Sequence, residues 1–268
     1  MTTLRFFGLD LSGYSANRSA LAEVARSDEY QARVYRNHPF VRSAEGRDQL
    51  RDLIRNQRTA LARLLGHGVL LVDVPIDLQR LPSPEQPIFV WQLTLRPVDK
   101  AYGGLPPLAD RIGAPVARFR NLLAASEFKA SAANLRETYP AASLLCAGAR
   151  HQKYKGQTIV WDGERWVGHQ LAEVAQALRL VAEQPVTLTD DDVDAVICAL
   201  AGAAPAGAIL EGEALATDMR TRIASKLRRS DPVDVQALYP PENYRLLRSL
   251  PESNVWVRLC NWSTIEEF

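Results

Sequence analysis

Two short apolar segments, each containing one aspartate near its end, constrain the fold of this chain most. The first is LRFFGLDL over Leu4–Leu11, and the second is VLLVDV over Val69–Val74. Continuous apolar runs of this length are typical of strands that are buried on both faces of a sheet. A buried carboxylate costs free energy unless a cation or several hydrogen-bond donors compensate it. Asp10 and Asp73 are therefore candidate functional residues, although a turn-forming role would also explain Asp10.

The residues between the two apolar segments predict how their strands are arranged. Ala20–Ala25 and Gln31–Tyr35 indicate two further strands, which complete an antiparallel meander with the first. Leucines at helical spacing between Leu50 and Leu65 predict an amphipathic helix. A helical crossover makes the second apolar strand parallel to an earlier strand. If the two apolar strands are neighbours, both aspartates lie at the carboxyl edge of the sheet, where sites of α/β proteins tend to occur.

The remainder of the chain predicts shorter elements. Proline and glycine between residues 75 and 120 indicate loops with short strands or helices. Beyond that region we expect a short strand over Asn134–Tyr139, a helix from Pro140, a hairpin over Thr158–Val167, helices over Leu171–Glu183 and Asp190–Leu200, a helix through Leu215–Leu227, and an edge strand over Val255–Leu259.

A third acidic element is the run DDDVD over Asp190–Asp194. Acids at a helix N-terminus are stabilised by the helix dipole, which alone could account for any one of them. Asp191 and Asp194, however, are three residues apart and therefore share a helical face. This face borders the apolar stripe that includes Val193 and Ile197. The pair could therefore reach the sheet edge and join the two strand aspartates.

Composition excludes several classes of protein. The net charge is +1, so no strong electrostatic field favours nucleic acid or membrane, although a localised basic face could still bind nucleic acid. Cys146, Cys198 and Cys260 are far apart, and the four histidines are scattered, which argues against a disulfide framework and a zinc ribbon. We find neither a signal-peptide pattern nor an apolar run long enough for a bilayer, so we expect a cytoplasmic protein.

Clustered carboxylates without histidine or thiolate partners favour a hard divalent cation. Mg²⁺ and Mn²⁺ both prefer oxygen ligands. Two such ions, about 3.5–4 Å apart, would activate water and stabilise the leaving oxygen in phosphodiester hydrolysis. Without a metal ion, clustered carboxylates would raise one another's pKa values. A bound metal ion therefore explains the presence of so many acids more simply than acid–base catalysis without metal does.

Several short motifs occur in an order that resembles a widespread bacterial family, domain of unknown function number four-two-nine. The motifs are GLD at Gly8–Asp10, VDVP at Val72–Pro75, RPVD at Arg96–Asp99, ETYPAA at Glu137–Ala142, YKG at Tyr154–Gly156 and DxxDAVICAL at Asp191–Leu200. The resemblance covers about residues 4–210. It implies an α/β fold of the RNase-H-like type, with a three-stranded antiparallel meander, parallel strands and flanking helices, and it implies nuclease activity.

The resemblance also implies roles for particular acids. Asp10 would be the first-strand acid, Asp73 the fourth-strand acid, and Asp191 with Asp194 the acids of the closing helix. RNase H enzymes carry a glutamate on the first helix, and here only Glu45 and Asp48 lie near its start. Glu137 could substitute for that glutamate, or it could position the Tyr139–Pro140 step. Residues 1–210 would form the RNase-H-like domain, and residues 211–268 a C-terminal helical extension packed on it.

Nucleic acid is the candidate partner, and basic residues are candidate phosphate contacts; oligomeric state is left open. Arg96 could instead form a structural ion pair with Asp99. Two other functions remain open: a non-catalytic RNase-H-like binding module and an actin-like ATP-dependent phosphotransferase. The candidate phosphate contacts are Arg96, Arg111, Arg118, Arg120, Lys153 and Lys155.

Overall fold

The computed structural model of the chain describes residues 4–13, 18–26, 29–44, 46–77, 90–106, 110–124, 133–228 and 234–260. The strands in these ranges are β1 Arg5–Asp10, β2 Ala20–Arg26, β3 Tyr30–Tyr35, β4 Gly68–Val72, β5 Leu135–Glu137, β6 Thr158–Trp161, β7 Trp166–Val167, β8 Leu180–Val181, β9 Val186–Thr189, β10 Ile209–Leu210, β11 Leu246–Leu247 and β12 Val255–Cys260. The helices are α1 Arg47–His67, α2 Pro97–Tyr102, α3 Asp110–Ala124, α4 Pro140–Cys146, α5 Gln170–Ala177, α6 Asp190–Ala203 and α7 Gly212–Ala224.

A seven-stranded mixed sheet forms the centre of the fold. Its strand order is β5-β4-β1-β2-β3-β12-β8. Strands β1, β2 and β3 pair antiparallel, whereas β4 is parallel to β1 and β5 is parallel to β4. The predicted RNase-H-like fold is confirmed: the meander, the helical crossover and the parallel strands occur in the expected order.

Alternation along the strands divides the buried residues between the two faces of this sheet. Phe7 and Leu9 of β1 pack into an apolar cluster that contains α1 and α3. Phe6 packs against the opposite cluster, which contains α6. Because side chains alternate along a strand, Gly8 and Asp10 point to the same face as Phe6. The sheet is therefore covered on both sides, and Asp10 lies on the side of α6.

Close approach of α6 to β1 depends on a glycine. A Cβ atom at Gly8 would overlap the backbone carbonyl oxygen of Ala195 and the backbone nitrogen of Ala199. No side chain therefore separates the helix from the strand at this point. The start of α6 is held close enough for its acids to reach the end of β1.

The C-terminal part of the chain contributes both to a third apolar cluster and to the main sheet. Leu215, Met219 and Ile223 of α7 pack with Val98 of α2. Strand β12 pairs in parallel with β3 on one side and with β8 on the other. The expectation of an edge strand was wrong, because the two-residue strand β8 lies outside it. The division of the chain into a domain over residues 1–210 and a C-terminal extension over residues 211–268 stays a prediction.

Two other expectations differ from the structure in their lengths. The helix predicted over Leu171–Glu183 ends at Ala177, and Arg179 adopts a φ of 55° before β8 begins. Helix α3 runs for 15 residues in a region where only short elements were expected. Pro115 lies inside it, and proline ordinarily indicates the end of a helical pattern. Within the described ranges, no helix has both the length and the apolar character needed to cross a bilayer.

Candidate metal centre

The end of β1 and the end of β4 bring two aspartates together. Leu9 of β1 is in register with Val72 of β4, so the next residues of the two strands are Asp10 and Asp73. The Asp73 backbone N–H donates to the Leu9 carbonyl oxygen at 3.0 Å, which extends the pairing by one residue. The predicted adjacency of the two aspartates at the carboxyl edge of the sheet is confirmed.

Helix α6 supplies the third aspartate, and its other acids have separate structural tasks. Asp192 caps the helix: its side chain accepts from the Thr189 backbone N–H at 2.8 Å, and it also forms an ion pair with Arg36 at 2.6 Å. Asp190 accepts a hydrogen bond from the Gly156 backbone N–H at 2.9 Å. Asp194 is fully buried and lies on the sheet side of the helix. The helix dipole thus explains part of the acidic run, but it does not explain Asp194.

Carboxylate oxygens of Asp10, Asp73 and Asp194 lie within 4.8 Å of one another. We call these three residues the aspartate pocket. Hard divalent cations bind oxygens at about 2.0–2.6 Å, so oxygens that share one ion are separated by at most about 4–5 Å. Oδ2 of Asp10 is buried and accepts no hydrogen bond from any described residue. The spacing and this unsatisfied oxygen both fit a divalent metal ion.

Lys155 and Tyr154 partly compensate the negative charge of the aspartate pocket. The Lys155 ammonium contacts Oδ2 of Asp194 and lies 3.8 Å from Oδ2 of Asp10. The Tyr154 hydroxyl donates to Oδ1 of Asp194 at 2.9 Å. One ammonium is therefore set against three acidic groups, and its single positive charge cannot compensate all three when they ionise.

Burial and the excess of acidic groups over cations shift the pKa values of the residues in and around the pocket. Burial raises the pKa of Asp10 well above its usual range, and the charges of Asp73 and Asp194 add to that effect while Lys155 opposes it. Burial likewise raises the pKa of Asp73 to about 7, again against the charge of Lys155. Although desolvation lowers the pKa of Lys155, the charges of Asp194 and Asp10 raise it above its ordinary value. An additional cation would relieve the repulsion that raises the carboxyl pKa values.

A cavity of about 300 Å³ opens beside the aspartate pocket. Asp73 and Asp194 both line it; Asp73 is partly exposed, whereas Asp194 is fully buried. Carboxylate oxygens and the positive charges of two lysines therefore line the same cavity. The cavity is lined by Asp73, Tyr139, Ala141, His151, Gln152, Lys153, Tyr154, Lys155 and Asp194.

Two predicted acids occupy other positions. Asp191 is not among the three residues of the aspartate pocket, but its charge contributes to the raised pKa values of Asp10 and Asp73. Burial raises its own pKa to about 6. Glu137 on β5 is buried and pairs with Arg96, with Nη2 donating to Oε1 at 2.7 Å. Its charge also contributes to the raised pKa of Asp73, so Glu137 is near the pocket, but it is not one of its three residues.

The Arg96–Asp99 ion pair that we considered is present. Arg96 is only 6% exposed, and its Nε donates to Asp99 at 2.9 Å. Arg118 is 2% exposed and donates to the Ser12 carbonyl oxygen at 2.7 Å and to Oγ of Ser19 at 3.1 Å. Neither arginine lines the cavity. Their side chains join segments of the fold.

Among the other predicted cations whose side chains are described, only Lys153 and Lys155 line the cavity. Lys153 is exposed at its rim, and Arg120 is exposed on α3. The side chain of Arg111 lies outside the described residues, as does Glu45. Asp48 is exposed at the start of α1 and is not part of the aspartate pocket.

Sequence reasoning assigned no role to Tyr154 or Tyr139, which both line the cavity. Burial and the charge of Asp73 raise the pKa of Tyr139 to about 12, so its hydroxyl stays protonated at neutral pH. Both tyrosines belong to motifs that we noted, ETYPAA and YKG. The motif order was therefore a signal that these residues lie near the site.

Comparisons with known proteins add no further information about the site. No family model, no curated protein and no solved structure matches this chain. Its function is therefore inferred from the residues of the site.

Proposed function

We propose that the protein is a divalent-metal-dependent phosphodiesterase that acts on nucleic acid, with Mg²⁺ or Mn²⁺ in the aspartate pocket. The observation that carries this proposal is the convergence of three carboxylates, from β1, β4 and α6, beside a cavity whose rim holds two lysines. The sequence resemblance to the family of domain four-two-nine supports the same function.

The choice of ion follows from the ligand atoms. Asp10, Asp73 and Asp194 offer only oxygen, and no histidine or cysteine belongs to the cluster formed by the described residues. Oxygen-only ligand sets favour Mg²⁺ and Mn²⁺ over zinc. A bound divalent ion would supply Lewis-acid chemistry, activating water and neutralising charge that develops on a phosphate.

The side chains around the pocket have complementary roles in this proposal. Lys153 and Lys155 are positive and line the cavity, so they are suited to bind the phosphates of a nucleic acid strand. Asp191 is near enough for its charge to raise the pKa values of Asp10 and Asp73, and in this proposal it binds a second ion or its water ligands. The Tyr154 hydroxyl holds Asp194 in place through its 2.9 Å hydrogen bond.

Cleavage assays test the proposal. The protein is incubated with labelled single-stranded DNA, duplex DNA, a four-way DNA junction and RNA, each with Mg²⁺, with Mn²⁺ or with EDTA. We expect cleavage of at least one substrate that requires the metal ion and is abolished by Asp10→Asn. Asp52→Asn is the matched control, because Asp52 is 69% exposed on α1 and outside the pocket.

The outcomes separate the alternative functions. Cleavage that persists in Asp10→Asn would remove Asp10 from the mechanism. Nucleic acid binding without cleavage and without Mn²⁺ binding would instead assign the chain to the non-catalytic binding modules. Stabilisation by ATP, in the absence of both nucleic acid binding and cleavage, would favour the actin-like phosphotransferase.

A further inference from the structure

The Lys155 side chain occupies the region where a metal ion would meet its ligands. Its ammonium contacts Oδ2 of Asp194 and lies 3.8 Å from Oδ2 of Asp10. A divalent ion bound by both carboxylates would use the same oxygens. Two cations at one pair of carboxylates repel each other, so they compete.

The loop that carries Lys155 is anchored independently of this contact. The Gly156 backbone N–H donates to Asp190 at 2.9 Å, and the Asp190 backbone N–H donates to the Gln157 carbonyl oxygen at 3.1 Å. Lys153 adopts a φ of 63°, which is uncommon for a residue other than glycine and is frequent near functional sites. The backbone position of Lys155 is therefore fixed by α6 and does not require the ammonium to stay in the pocket.

The Lys155 side chain also has space to move into. It is 52% exposed, and it forms part of the wall of the cavity of about 300 Å³ beside the pocket. The long, flexible lysine stem lets the ammonium turn toward this cavity while the backbone stays in place. In that position it would face the phosphates of a bound strand.

We propose that the Lys155 ammonium is the resident cation of the aspartate pocket and that a divalent ion enters by displacing it into the cavity. This inference rests on the proposed metal site. Binding of the ion and presentation of a phosphate-binding group would then be one coupled event. The pocket retains a cation in the metal-free protein, and a positive charge reaches the cavity when the ion binds.

Isothermal titration of Mn²⁺ into the metal-free full-length chain at pH 8, without nucleic acid, tests this competition. We expect Lys155→Met to bind Mn²⁺ roughly tenfold more tightly than the wild type, because it lacks the competing charge. Lys155→Arg retains a cation and should not share this gain. Lys153→Met is the matched control: it removes the same charge from the same loop, and Lys153 is not paired with any of the three pocket aspartates. Its affinity for Mn²⁺ should stay within about twofold of the wild type.

The outcomes distinguish this inference from the metal site itself. Equal or weaker Mn²⁺ binding by Lys155→Met would overturn the displacement, while the metal site would stand as long as the wild type binds the ion. An equal gain in Mn²⁺ affinity in Lys155→Met and Lys155→Arg would also overturn the displacement, because loss of the positive charge would then not be the cause of the gain. Absence of Mn²⁺ binding in every variant would remove the metal site and the inference with it.

A second measurement on the wild-type protein covers the case in which Lys155→Met does not fold. Amine acylation followed by mass spectrometry reports how accessible each lysine is. Addition of Mn²⁺ should increase the labelling of Lys155 severalfold relative to that of Lys153. Unchanged or reduced labelling of Lys155 at saturating Mn²⁺ would contradict the displacement.

Discussion

Two clusters of buried charge lie side by side in this fold, and they differ in whether their charges are satisfied. The first, which we call the arginine network, consists of Arg96, Asp99 and Glu137. All three side-chain nitrogens of Arg96 donate, and both oxygens of each carboxylate accept hydrogen bonds. The second is the aspartate pocket, where one lysine faces three carboxylates and Oδ2 of Asp10 accepts no hydrogen bond from any described residue.

This difference indicates what each cluster does. The arginine network connects α2 to β5, and it also holds the segment after β4 through the Ile76 backbone N–H, which donates to Glu137 at 3.0 Å. It is complete without a ligand, as expected of a structural element. The aspartate pocket is incomplete without an added cation, as expected of a binding site. Substitutions in the two clusters should therefore have opposite effects on stability.

The largest expected effect comes from breaking the arginine network. Arg96→Met removes the cation and leaves two buried carboxylates unpaired, which should lower the free energy of unfolding by about 3–5 kcal/mol. Urea denaturation monitored by circular dichroism measures this change. Glu137→Gln added to Arg96→Met should recover part of the loss, because it removes one of the unpaired charges.

The neighbouring residue Arg136 provides the control for this prediction. It pairs with Glu211 at 2.5 Å, but its side chain is 25% exposed and that of Glu211 is 41% exposed. Arg136→Met should therefore cost less than about 1 kcal/mol. If Arg96→Met and Arg136→Met lowered the free energy of unfolding equally, burial would not determine how much an ion pair contributes. The contrast between the two clusters would then have no basis.

Filling the aspartate pocket should also have a large effect on stability. Mn²⁺ at 100 times its dissociation constant should stabilise the native protein by about 2.7 kcal/mol, since the ion binds the folded pocket. Thermal denaturation with and without Mn²⁺ detects this as a rise in Tm. The rise should disappear in Asp73→Asn and persist in Asp52→Asn. A rise of equal size in Asp73→Asn would place the ion elsewhere on the protein.

The pH dependence of stability in EDTA should reveal the unsatisfied pocket. The pKa of Asp73 is raised from 3.8 to about 7, so the folded protein holds its proton more tightly than the unfolded chain does. The resulting stabilisation is complete below about pH 4 and is lost as the pH rises toward 7, with a slope of at most about 1.4 kcal/mol per pH unit. Asp73→Asn cannot ionise, so its stability relative to the wild type should increase over this interval. A difference that does not vary with pH would contradict the raised pKa.

The acids of the pocket were predictable because local patterns determine their positions. An apolar run that ends in aspartate identifies a strand end, and the helical crossover aligns two such ends in parallel. The three-residue spacing of Asp191 and Asp194 correctly indicated a shared helical face. That spacing could not show which of the two acids enters the pocket, because the depth of each depends on how closely α6 packs against Gly8.

The compensating charges were less predictable because they depend on contacts between distant segments. Arg96 and Glu137 are 41 residues apart, and no local pattern pairs them. The loop conformation that directs Lys155 to Asp194 includes a φ of 63° at Lys153, which propensity would not suggest. Lys155 was predicted as a phosphate contact from its charge alone, and its pairing with the pocket aspartates was missed.

The smallest expected effect provides the most direct test of the contrast, because the same chemical change should have opposite signs in the two clusters. Asp10→Asn replaces one of three crowded acidic groups, so the metal-free protein at pH 8 no longer bears the cost of burying a carboxyl group whose pKa is raised, and it should become more stable by about 0.5–2 kcal/mol. Asp99→Asn should instead destabilise it, since both oxygens of Asp99 accept hydrogen bonds from Arg96 and an amide offers only one oxygen. Urea denaturation in EDTA measures both variants. If Asp10→Asn destabilises the protein as Asp99→Asn does, the aspartate pocket is a structural element like its neighbour, and the argument that its excess charge is retained to bind a cation fails.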